Sequence, residues 1–534
     1  MADKKRLGVM IDCSRNAVMK VSAVKKFIDT LSDMGYNMLM LYTEDTYEVE
    51  GRPFFGYLRG RYSVEEMTEI ANYGESKGVE LIPCIQTLAH LNQIFRWGDF
   101  AKINDTHDIL LVDDEETYSL IEDMFKTLRK CFKTDYIHIG MDEAHFVGLG
   151  KYLKAHGFCD RFDILSRHLK RVSDLAEKYG FKSIMWSDMF FRLAAGGAYY
   201  VDDPEIITDD IVKCVPENVE LTYWDYYANE RERYDTMIAA HKRFNKPVWF
   251  GGGAWKWTGF SPDNNLSIMR TKEALTSCRE SGVENVYLTC WGDDGAEAPY
   301  LSVLPTLFYA AEVYRGNDDM KDIKQKFEKM FNISFDDFCM LDLPSRPKIS
   351  TDFGYKTIMN RDKFMLYNDP FLGIYDLYMT DVREEIKYYK SLSRKLKRLC
   401  DHEEFGYMFR AEKALCDLLA VKYDLGRNTL DAYKNGDKDA LLKIAESYKK
   451  AIKLLDVFIK EFRESWITEK KPHGFDVQDL RLGGLKQRLV ICRERILDYV
   501  NGKGDVIEEL EEERLFVGGC CHNSWIQNAS INVI

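Results

Sequence analysis

Eight short apolar runs, each followed by a stretch with helical periodicity, restrict the fold of this chain more than any other feature. The runs are almost continuously apolar, which is typical of parallel strands buried on both faces. They span residues 7–11, 38–42, 79–85, 136–139, 183–186, 219–223, 247–250 and 285–290. Eight strand-then-helix units in about 310 residues predict an α/β fold, a (β/α)8 TIM barrel.

The stretches between the runs predict helices. They cover roughly residues 17–34, 64–77, 115–131, 161–179, 231–244, 265–280 and 299–315. Ser63 and Glu66 are spaced as in a capping box, which marks the start of one of these helices. A doubly wound sheet is the structural alternative. It would normally carry a phosphate-binding glycine loop after its first strand, and residues 12–16 contain none.

After about residue 320 the character of the sequence changes. Glycine becomes scarce, and Lys, Glu, Leu and Tyr recur at helical spacing, which predicts long helices over 376–400, 404–434, 437–465 and 476–501. A chain of 534 residues also exceeds what one hydrophobic core usually supports. We therefore expect a barrel in residues 1–318 and a mainly α-helical C-terminal domain in residues 319–534. A homodimer through the helical half is an open alternative.

Charge and cysteine content exclude several classes of function. The net charge is −13, so nucleic acid and anionic membrane surfaces are not expected partners. The N-terminus has no long apolar segment, and no run of about 18 apolar residues occurs, so we expect a soluble, cytoplasmic protein. The 13 cysteines are scattered without a CxxC pair, which predicts reduced thiols. We expect no metal and no cofactor.

Aromatic residues gather where the predicted strands end. In a TIM barrel the active site lies at the carboxyl ends of the strands. Five of the nine tryptophans follow a predicted strand there: Trp186, Trp224, Trp255, Trp257 and Trp291. Sugar rings are flat and partly apolar, and aromatic side chains suit such faces. The clustering favours a cleft for a ring-shaped ligand.

The sharpest motif is His-Ile-Gly-Met-Asp-Glu at residues 138–143, directly after the fourth run. Two close carboxylates beside apolar walls drive each other's ionisation apart, so that one can remain protonated as an acid. Asp142 and Glu143 are therefore candidate catalytic residues. The alternative is that Asp142 caps a helix and Glu143 is a first-turn charge.

A second carboxylate is missing where many barrel glycosidases have one. The usual retaining mechanism needs a nucleophilic carboxylate about 5 Å from the acid. After the seventh run the chain has three glycines at residues 251–253 and no acidic residue before Asp263. This absence points to an enzyme that takes its nucleophile from the substrate.

Residues 138–143 resemble the His-x-Gly-x-Asp-Glu signature of the family 20 glycoside hydrolases, the β-N-acetylhexosaminidases. Further residues that agree with the resemblance are Arg15, His90, Trp186 with Asp188, Tyr223 with Asp225, and Trp291 with Asp293. The family is a substrate-assisted exception to the two-carboxylate scheme. The resemblance implies a retaining exo-β-N-acetylhexosaminidase that removes terminal, non-reducing β-linked N-acetylglucosamine or N-acetylgalactosamine from oligosaccharides.

The resemblance also implies a role for each residue. Asp142 would hold the acetamido N–H and stabilise an oxazolinium intermediate, and Glu143 would be the general acid and base. Tyr223 would donate to the acetamido oxygen, with Tyr226 and Tyr227 as alternatives. The remaining implied contacts are Trp186, Trp291 and Trp255 or Trp257 around the acetamido methyl and sugar face, Arg15 and Asp293 or Asp294 on the hydroxyls, Asp225 beside the tyrosines, and His90 supporting the carboxylates.

The sequence departs from the family pattern in several places. The barrel begins near residue 6, whereas many members carry a small α+β domain first. Met141 replaces a common glycine, Asp293 replaces a usual glutamate, and the helical second half is atypical. Two other functions therefore remain open. One is a two-carboxylate barrel glycosidase of another family, with Asp188, Asp225 or Asp293 as nucleophile. The other is a carbohydrate-binding protein that keeps the tryptophans without turnover. For single residues, the alternatives are a surface ion pair for Arg15 and a buried structural histidine for His90.

Overall fold

Eight parallel strands close into a barrel in the computed structural model, which describes residues 5–346, 360–379, 381–516 and 525. The strands, first to eighth, are Arg6–Asp12, Met38–Tyr42, Glu80–Cys84, Tyr136–His138, Lys182–Trp186, Val219–Trp224, Val248–Gly253 and Asn285–Cys290. Each strand pairs with its neighbour in sequence, and the first pairs with the eighth from Arg6–Asn285 to Ile11–Cys290. The predicted (β/α)8 barrel is confirmed.

Large side chains fill the inside of the barrel. Because successive residues of a strand point to opposite faces, alternate residues form this core. Its buried members are Met10, Met38, Met40, Tyr42, Ile82, Cys84, Ile184, Trp186, Trp249 and Tyr287. Gly8 makes room for one of them, since a Cβ at this position would lie 2.3 Å from Cε of Met38.

The helices after the strands lie close to their predicted positions. They are Val21–Asp33, Val64–Ser76, Glu115–Cys131, Arg161–Lys178, Arg231–Lys242, Asn264–Glu280 and Leu304–Tyr314. The Ser63–Glu66 capping box is confirmed, with reciprocal hydrogen bonds of 3.0 and 3.1 Å. Elements that we did not predict are the short helices Lys151–His156, Asp188–Ala194 and Asp209–Lys213 and an antiparallel hairpin of Asn104–Thr106 with Ile109–Leu110.

The C-terminal region is helical, as predicted. Its helices are Met320–Phe331, Phe335–Phe338, Arg361–Tyr367, Val382–Lys397, Gly406–Lys422, Leu425–Lys434, Lys438–Glu469, Phe475–Val500 and Glu508–Glu511. The helix predicted over 404–434 is two helices, because Asp424 leaves the helical conformation with φ −106° and ψ 7°. The second of these helices approaches Pro370 closely, and a Cβ on Gly426 would lie 2.7 Å from the Pro370 carbonyl oxygen.

The chain forms two compact units. The first contains residues 1–254, 266–291 and 306–323, and the second contains residues 255–265, 292–305 and 324–534. The loops after the seventh and eighth strands thus belong to the same unit as the C-terminal helices. The division at residue 318 stays a prediction. In the described ranges, no helix has both the length and the apolar composition that are needed to cross a membrane.

Buried charges inside the second unit hold the loop after the eighth strand. The Glu469 carboxylate accepts the backbone N–H groups of Tyr300 (2.5 Å) and Leu301 (3.1 Å). Nζ of Lys470 donates to the carbonyl oxygens of Ala296 (2.5 Å) and Ala298 (3.3 Å). Buried backbone groups need such partners, so the end of the long helix Lys438–Glu469 and the residue after it fix the path of this loop.

Candidate active site

The chain leaves the fourth strand in left-handed backbone conformations. Gly140, Met141 and Glu143 have φ angles of 72°, 68° and 51°. A Cβ on Gly140 would lie 2.2 Å from Oε1 of Gln86, so the position requires glycine. Left-handed conformations of non-glycine residues cost about 1–3 kcal/mol each and concentrate at functional sites. Two side chains hold this turn: Oε1 of Gln86 accepts the Met141 N–H and Oδ2 of Asp188 accepts the Glu143 N–H, each at 3.1 Å.

Asp142 points inward and is held by two side chains. Nε2 of Gln86 donates to its Oδ1 at 2.7 Å, and Nε2 of His90 lies 3.2 Å from its Oδ2. Burial raises the pKa of Asp142, but His90 and Gln86 together lower it by more than burial raises it. The pKa is therefore below its ordinary value. Asp142 is therefore ionised at neutral pH although only 14% of its side chain is exposed.

His90 is the cation of this pair. Its backbone is also left-handed, with φ 57°, and its N–H donates to Oδ2 of Asp108 at 3.1 Å. Burial lowers the pKa of His90, but the carboxylates of Asp142 and Glu44 more than offset burial and raise the pKa to about 10. His90 is thus protonated at neutral pH, and it neutralises the charge of Asp142.

Glu143 lies in a different environment from its neighbour. Its side chain is 45% exposed, and Oε2 lies 3.8 Å from Nε2 of His90. The two adjacent carboxylates are therefore distinct: Asp142 is enclosed and ionised, whereas Glu143 reaches solvent. Such a pair can divide the work of stabilising positive charge and transferring protons.

A chain of polar contacts connects Arg15 with Asp142. Arg15 lies 3.3 Å from Oε1 of Glu44, and that oxygen accepts the Tyr42 hydroxyl at 3.0 Å. The Tyr42 oxygen in turn accepts Nε2 of Gln86 at 2.9 Å. The structure thus brings together Arg15, His90 and Asp142. We did not predict Tyr42, Glu44 and Gln86 as site residues, although their positions at the ends of the second and third strands were a usable signal.

Two predicted tryptophans meet at the mouth of the barrel. The ring centroids of Trp186 and Trp291 are 6.0 Å apart, and Trp291 packs edge-on against Tyr42 at 4.8 Å. Gly251 leaves space for this wall, because a Cβ there would lie 3.3 Å from Cζ3 of Trp186. Gly251, at the position where the sequence has glycines and no acidic residue, therefore has a packing function.

Tyr223 in the sixth strand and Tyr226 just after it have different surroundings. Tyr223 is fully buried and packs on Tyr234 and His241 of the helix Arg231–Lys242, and its hydroxyl donates to Oδ2 of Asp225 at 2.6 Å. Tyr226 contacts Thr289 and Trp291 through its hydroxyl; burial raises its pKa, and these hydrogen bonds lower it in part. The role of Tyr223 on the acetamido oxygen stays a prediction, and so does that of Tyr226, an alternative that the sequence left open.

Asp225 organises the chain after the sixth strand. It is buried, and its Oδ1 accepts the Tyr200 hydroxyl at 2.8 Å and the backbone N–H groups of Tyr227 and Ala228 at 2.9 Å each. Because the Tyr223 hydroxyl donates to Oδ2, both carboxylate oxygens of Asp225 accept hydrogen bonds. Asp225 therefore shapes the turn that carries Tyr226, and its contact with a sugar stays a prediction.

The remaining predicted residues belong to the second unit. Trp255 and Trp257 are buried and stacked, with centroids 4.1 Å apart, and the Trp257 carbonyl accepts the Asp294 N–H at 3.3 Å. Burial raises the pKa of Asp294 to about 6, although Lys363 lowers it, while Asp293 is exposed. Their contacts with a sugar stay predictions.

The described residues contain no group of three or more His, Cys, Asp or Glu side chains that could hold a metal ion.

Two family comparisons identify this arrangement. Residues 6–242 match the family described as glycosyl hydrolase family 20, catalytic domain. The chain belongs to glycoside hydrolase family 20. Residues 336–524 match the glycoside hydrolase 20C C-terminal domain, so the helical half of this family 20 chain also has counterparts.

Named relatives are distant. Over 257 residues the chain is 23% identical to β-hexosaminidase 3 of Arabidopsis thaliana, covering 42% of this chain and 47% of that one. It is 24% identical to human hexosaminidase D, covering 60% and 68%. This family 20 chain thus spans about half the length of the Arabidopsis relative. A solved relative is the exo-β-N-acetylglucosaminidase of Vibrio harveyi in complex with N-acetylglucosamine, at 13% identity and TM-score 0.48, covering 63% and 58%.

Proposed function

We propose that the chain is a retaining exo-β-N-acetylhexosaminidase that uses the 2-acetamido group of its substrate as the nucleophile. The observation that carries the proposal is the enclosed, ionised Asp142, paired with His90 at 3.2 Å beside an exposed Glu143. The names of the two curated relatives, both hexosaminidases, support the substrate class. The substrate would be an oligosaccharide or glycoside that ends in β-linked N-acetylglucosamine or N-acetylgalactosamine.

In the first step, the acetamido carbonyl oxygen attacks the anomeric carbon of its own sugar. The bond to the leaving oxygen breaks, and Glu143 donates a proton to that oxygen. The acetamido nitrogen becomes positively charged in the oxazolinium ring. Asp142 accepts the N–H of this group and stabilises the charge, which a preorganised anion does most strongly where water is excluded.

In the second step, Glu143 removes a proton from water, and the water oxygen attacks the anomeric carbon. The bond between this carbon and the acetamido oxygen breaks, which restores the substrate's own amide. Two inversions at one carbon give net retention of configuration.

We propose Tyr226 as the donor to the acetamido oxygen. An indole N–H can only donate, so the Tyr226 oxygen accepts from Trp291, one of the two tryptophans at the mouth of the barrel. On substrate binding, the Tyr226 O–H would turn to the acetamido oxygen. Trp186 and Trp291 would pack on the acetamido methyl group and the sugar face. The remaining proposed contacts are Arg15, Trp255, Trp257 and Asp293 or Asp294, as the resemblance implies.

A carboxylate nucleophile from the protein is the less favoured alternative. Asp188 is fully buried and accepts the backbone N–H of Glu143. Asp225 is buried and accepts hydrogen bonds on both oxygens. A nucleophile must reach the anomeric carbon along an open path, and neither carboxylate offers one.

The first test measures release of 4-nitrophenol from the β-N-acetylglucosaminide, the β-N-acetylgalactosaminide and the plain β-glucoside. We expect turnover of the N-acetyl substrates, none of the glucoside, and loss of turnover in Glu143→Gln. Equal turnover of the glucoside would overturn substrate assistance. Binding of N-acetyl sugars without any turnover would favour a carbohydrate-binding protein.

A second measurement addresses the nucleophile directly. Fluorination of the acetyl methyl group withdraws electrons from the carbonyl oxygen and weakens it as a nucleophile. We expect kcat to fall steadily from acetyl to fluoroacetyl to trifluoroacetyl substrates. A protein nucleophile would leave kcat nearly unchanged along this series.

A further inference from the structure

Asp188 is a buried carboxylate that the proposed mechanism does not use. It follows the fifth strand as the first residue of the helix Asp188–Ala194, and its side chain is completely buried. Its Oδ2 accepts the backbone N–H of Glu143 at 3.1 Å. Within the described part of the chain, its Oδ1 has no hydrogen-bond partner. A buried carboxylate is expensive to keep, so its contact with Glu143 calls for a reason.

The contact supports an unfavourable backbone conformation at Glu143. Glu143 has φ 51°, which side chains other than glycine adopt rarely. Its N–H donates to the buried Oδ2 of Asp188, and this hydrogen bond fixes the direction of the Glu143 N–H. Arg192, one helical turn after Asp188, lies 3.5 Å from the same Oδ2 and helps to keep the carboxylate in place.

The exposed side chain of Glu143 depends on this backbone for its direction. Its Oε2 lies 3.8 Å from His90, beyond the length of a strong hydrogen bond, and 45% of the side chain is exposed. Loosely held side chains take their orientation from φ and ψ of their own residue. A change of conformation at Glu143 would therefore move its carboxyl group away from the leaving oxygen.

We propose that Asp188 is a positioning residue for the general acid, which it orients through the backbone N–H of Glu143. This inference rests on the proposed function, because it gives Asp188 a part in the proton transfer that Glu143 performs. It also distinguishes this role of Asp188 from the role of the nucleophile that a two-carboxylate mechanism would need. A nucleophile requires a carboxylate, whereas a positioning residue requires only a hydrogen-bond acceptor in this place.

Misplacement of Glu143 would affect one part of the reaction selectively. A poor leaving group such as phenol needs a proton as the glycosidic bond breaks, whereas 2,4-dinitrophenolate leaves without one. Loss of positioning should therefore slow the phenyl substrate far more than the 2,4-dinitrophenyl substrate. A variant that was merely less stable would slow both equally.

The experiment compares kcat/KM, which reports the step that breaks the glycosidic bond, for phenyl, 4-nitrophenyl and 2,4-dinitrophenyl β-N-acetylglucosaminides in wild type, Asp188→Ala and Asp188→Asn. We expect Asp188→Ala to lower kcat/KM for the phenyl substrate about 100-fold, the size of a 1 Å misplacement, with less than about a threefold effect on kcat/KM for the dinitrophenyl substrate. Asp188→Asn keeps an acceptor oxygen and should stay within about threefold of wild type on all three substrates.

Asp105 provides a matched control. It is also a buried aspartate that accepts backbone N–H groups, from Gly148 at 3.0 Å and Tyr152 at 2.8 Å. Asp105→Ala should lower the melting temperature and leave the dependence of kcat/KM on the leaving group unchanged. Should Asp188→Ala unfold, Asp188→Cys takes its place, since a thiol is similar in size but a weak acceptor.

Two results would overturn the inference: equal loss of kcat/KM on all three substrates in Asp188→Ala, or inactivity of Asp188→Asn. The second result would make Asp188 a candidate nucleophile. Glu143→Ala separates this failure from that of the proposed function. If Glu143→Ala shows the leaving-group effect and Asp188→Ala does not, only the inference fails. If wild type turns over no N-acetyl substrate, the proposed function fails.

Discussion

Nε2 of His90 lies 3.2 Å from Oδ2 of Asp142, and each residue keeps the other charged. The pKa of His90 is raised to about 10, and that of Asp142 lies below its ordinary value. A charge that is this enclosed is destabilising without its partner. The pair therefore keeps the Asp142 carboxylate ionised and fixed in the site, while the charges of the two residues cancel.

Replacing Asp142 should be visible in the titration of His90. Without the carboxylate, burial becomes the dominant effect, and burial lowers the pKa of a histidine. We expect Asp142→Asn to lower the pKa of His90 by at least about two units, the upper part of the range for a neighbouring charge. Histidine ring resonances followed by NMR against pH measure this, with His90→Gln for assignment. An unchanged pKa would contradict the ion pair.

The same pair predicts a pH dependence of stability. The pKa of folded His90, about 10, lies above the unfolded value of 6.5, so its contribution is fully present below pH 6.5 and is lost as the pH rises through about 10. Each unit of pKa shift corresponds to about 1.4 kcal/mol. Between these pH values the melting temperature of wild type should fall more steeply than that of His90→Gln. Parallel curves would show that His90 does not titrate in this window.

Gly140 should tolerate no side chain. An alanine would have an unfavourable φ of 72° and a Cβ 2.2 Å from Oε1 of Gln86 and 2.8 Å from the Ile85 carbonyl oxygen. We expect Gly140→Ala to lose about 3 kcal/mol or more, the sum of left-handed strain and overpacking. Because Gln86 holds Asp142, kcat should also fall at least about tenfold. Chemical denaturation and steady-state kinetics measure the two effects.

Gly78 separates strain from contact. It follows the helix Val64–Ser76 with a similar φ of 74°, but a Cβ there would meet nothing within 4 Å. Gly78→Ala should therefore lose only about 1 kcal/mol and keep full activity. Equal losses in the two variants would show that the contact with Gln86 has no effect.

The fold was predictable because burial on both faces gives barrel strands continuous apolar runs. The seventh strand shows the limit of this signal. The predicted run ends at residue 250, yet the strand continues to Gly253, pairing Gly251 with Tyr287 and Gly253 with Thr289. A glycine has no side chain to mark its strand in the sequence, although its backbone forms the same hydrogen bonds.

The site was predictable where a motif marks a strand end, as for Asp142 and Glu143. It was not predictable where the role of a residue depends on which face of the strand its side chain is on. In the sixth strand both faces are apolar. Trp224 packs on the barrel interior, whereas Tyr223 packs on the helix Arg231–Lys242. Alternation alone cannot tell which face is inward when both are covered. The hydrogen bond from Gln86 to Asp142 depends on strand order and turn geometry, which no local sequence pattern encodes.

Glu469 should be essential for the loop after the eighth strand. Its carboxylate accepts the N–H groups of Tyr300 and Leu301 and the Tyr407 hydroxyl, which donates at 2.6 Å. In Glu469→Gln an amide NH₂ replaces one acceptor oxygen and leaves buried donors without a partner, at about 1–3 kcal/mol each. Denaturant unfolding should show this loss. Glu464→Gln, on the exposed side of the same helix, should have no effect. Equal stability of the two variants would mean that Glu469 does not hold the loop.

Tyr223 in the sixth strand and Tyr226 just after it offer the sharpest comparison, because one change removes a single hydroxyl from each. We expect Tyr226→Phe to lower kcat for the N-acetylglucosaminide about 10- to 100-fold, since the transition state loses a donor to its acetamido oxygen. Its melting temperature should fall as well, because Trp291 loses its acceptor. Tyr223→Phe should lower stability without lowering activity. It leaves Oδ2 of the buried Asp225 without its 2.6 Å donor, which costs about 1–3 kcal/mol, while kcat stays within about threefold.

The pair distinguishes three arrangements of the site. A loss of kcat in Tyr226→Phe alone supports the proposed donor. The same loss in Tyr223→Phe alone would mean that the Tyr223 hydroxyl leaves Asp225 and turns to the substrate, against the contacts that bury it. If neither variant loses kcat on the acetyl substrate, the acetamido oxygen needs no tyrosine, and Asp142 with the surrounding tryptophans must orient it. The fluoroacetyl substrates make the distinction stricter, because a weakened carbonyl nucleophile depends more on a group that fixes its direction of attack.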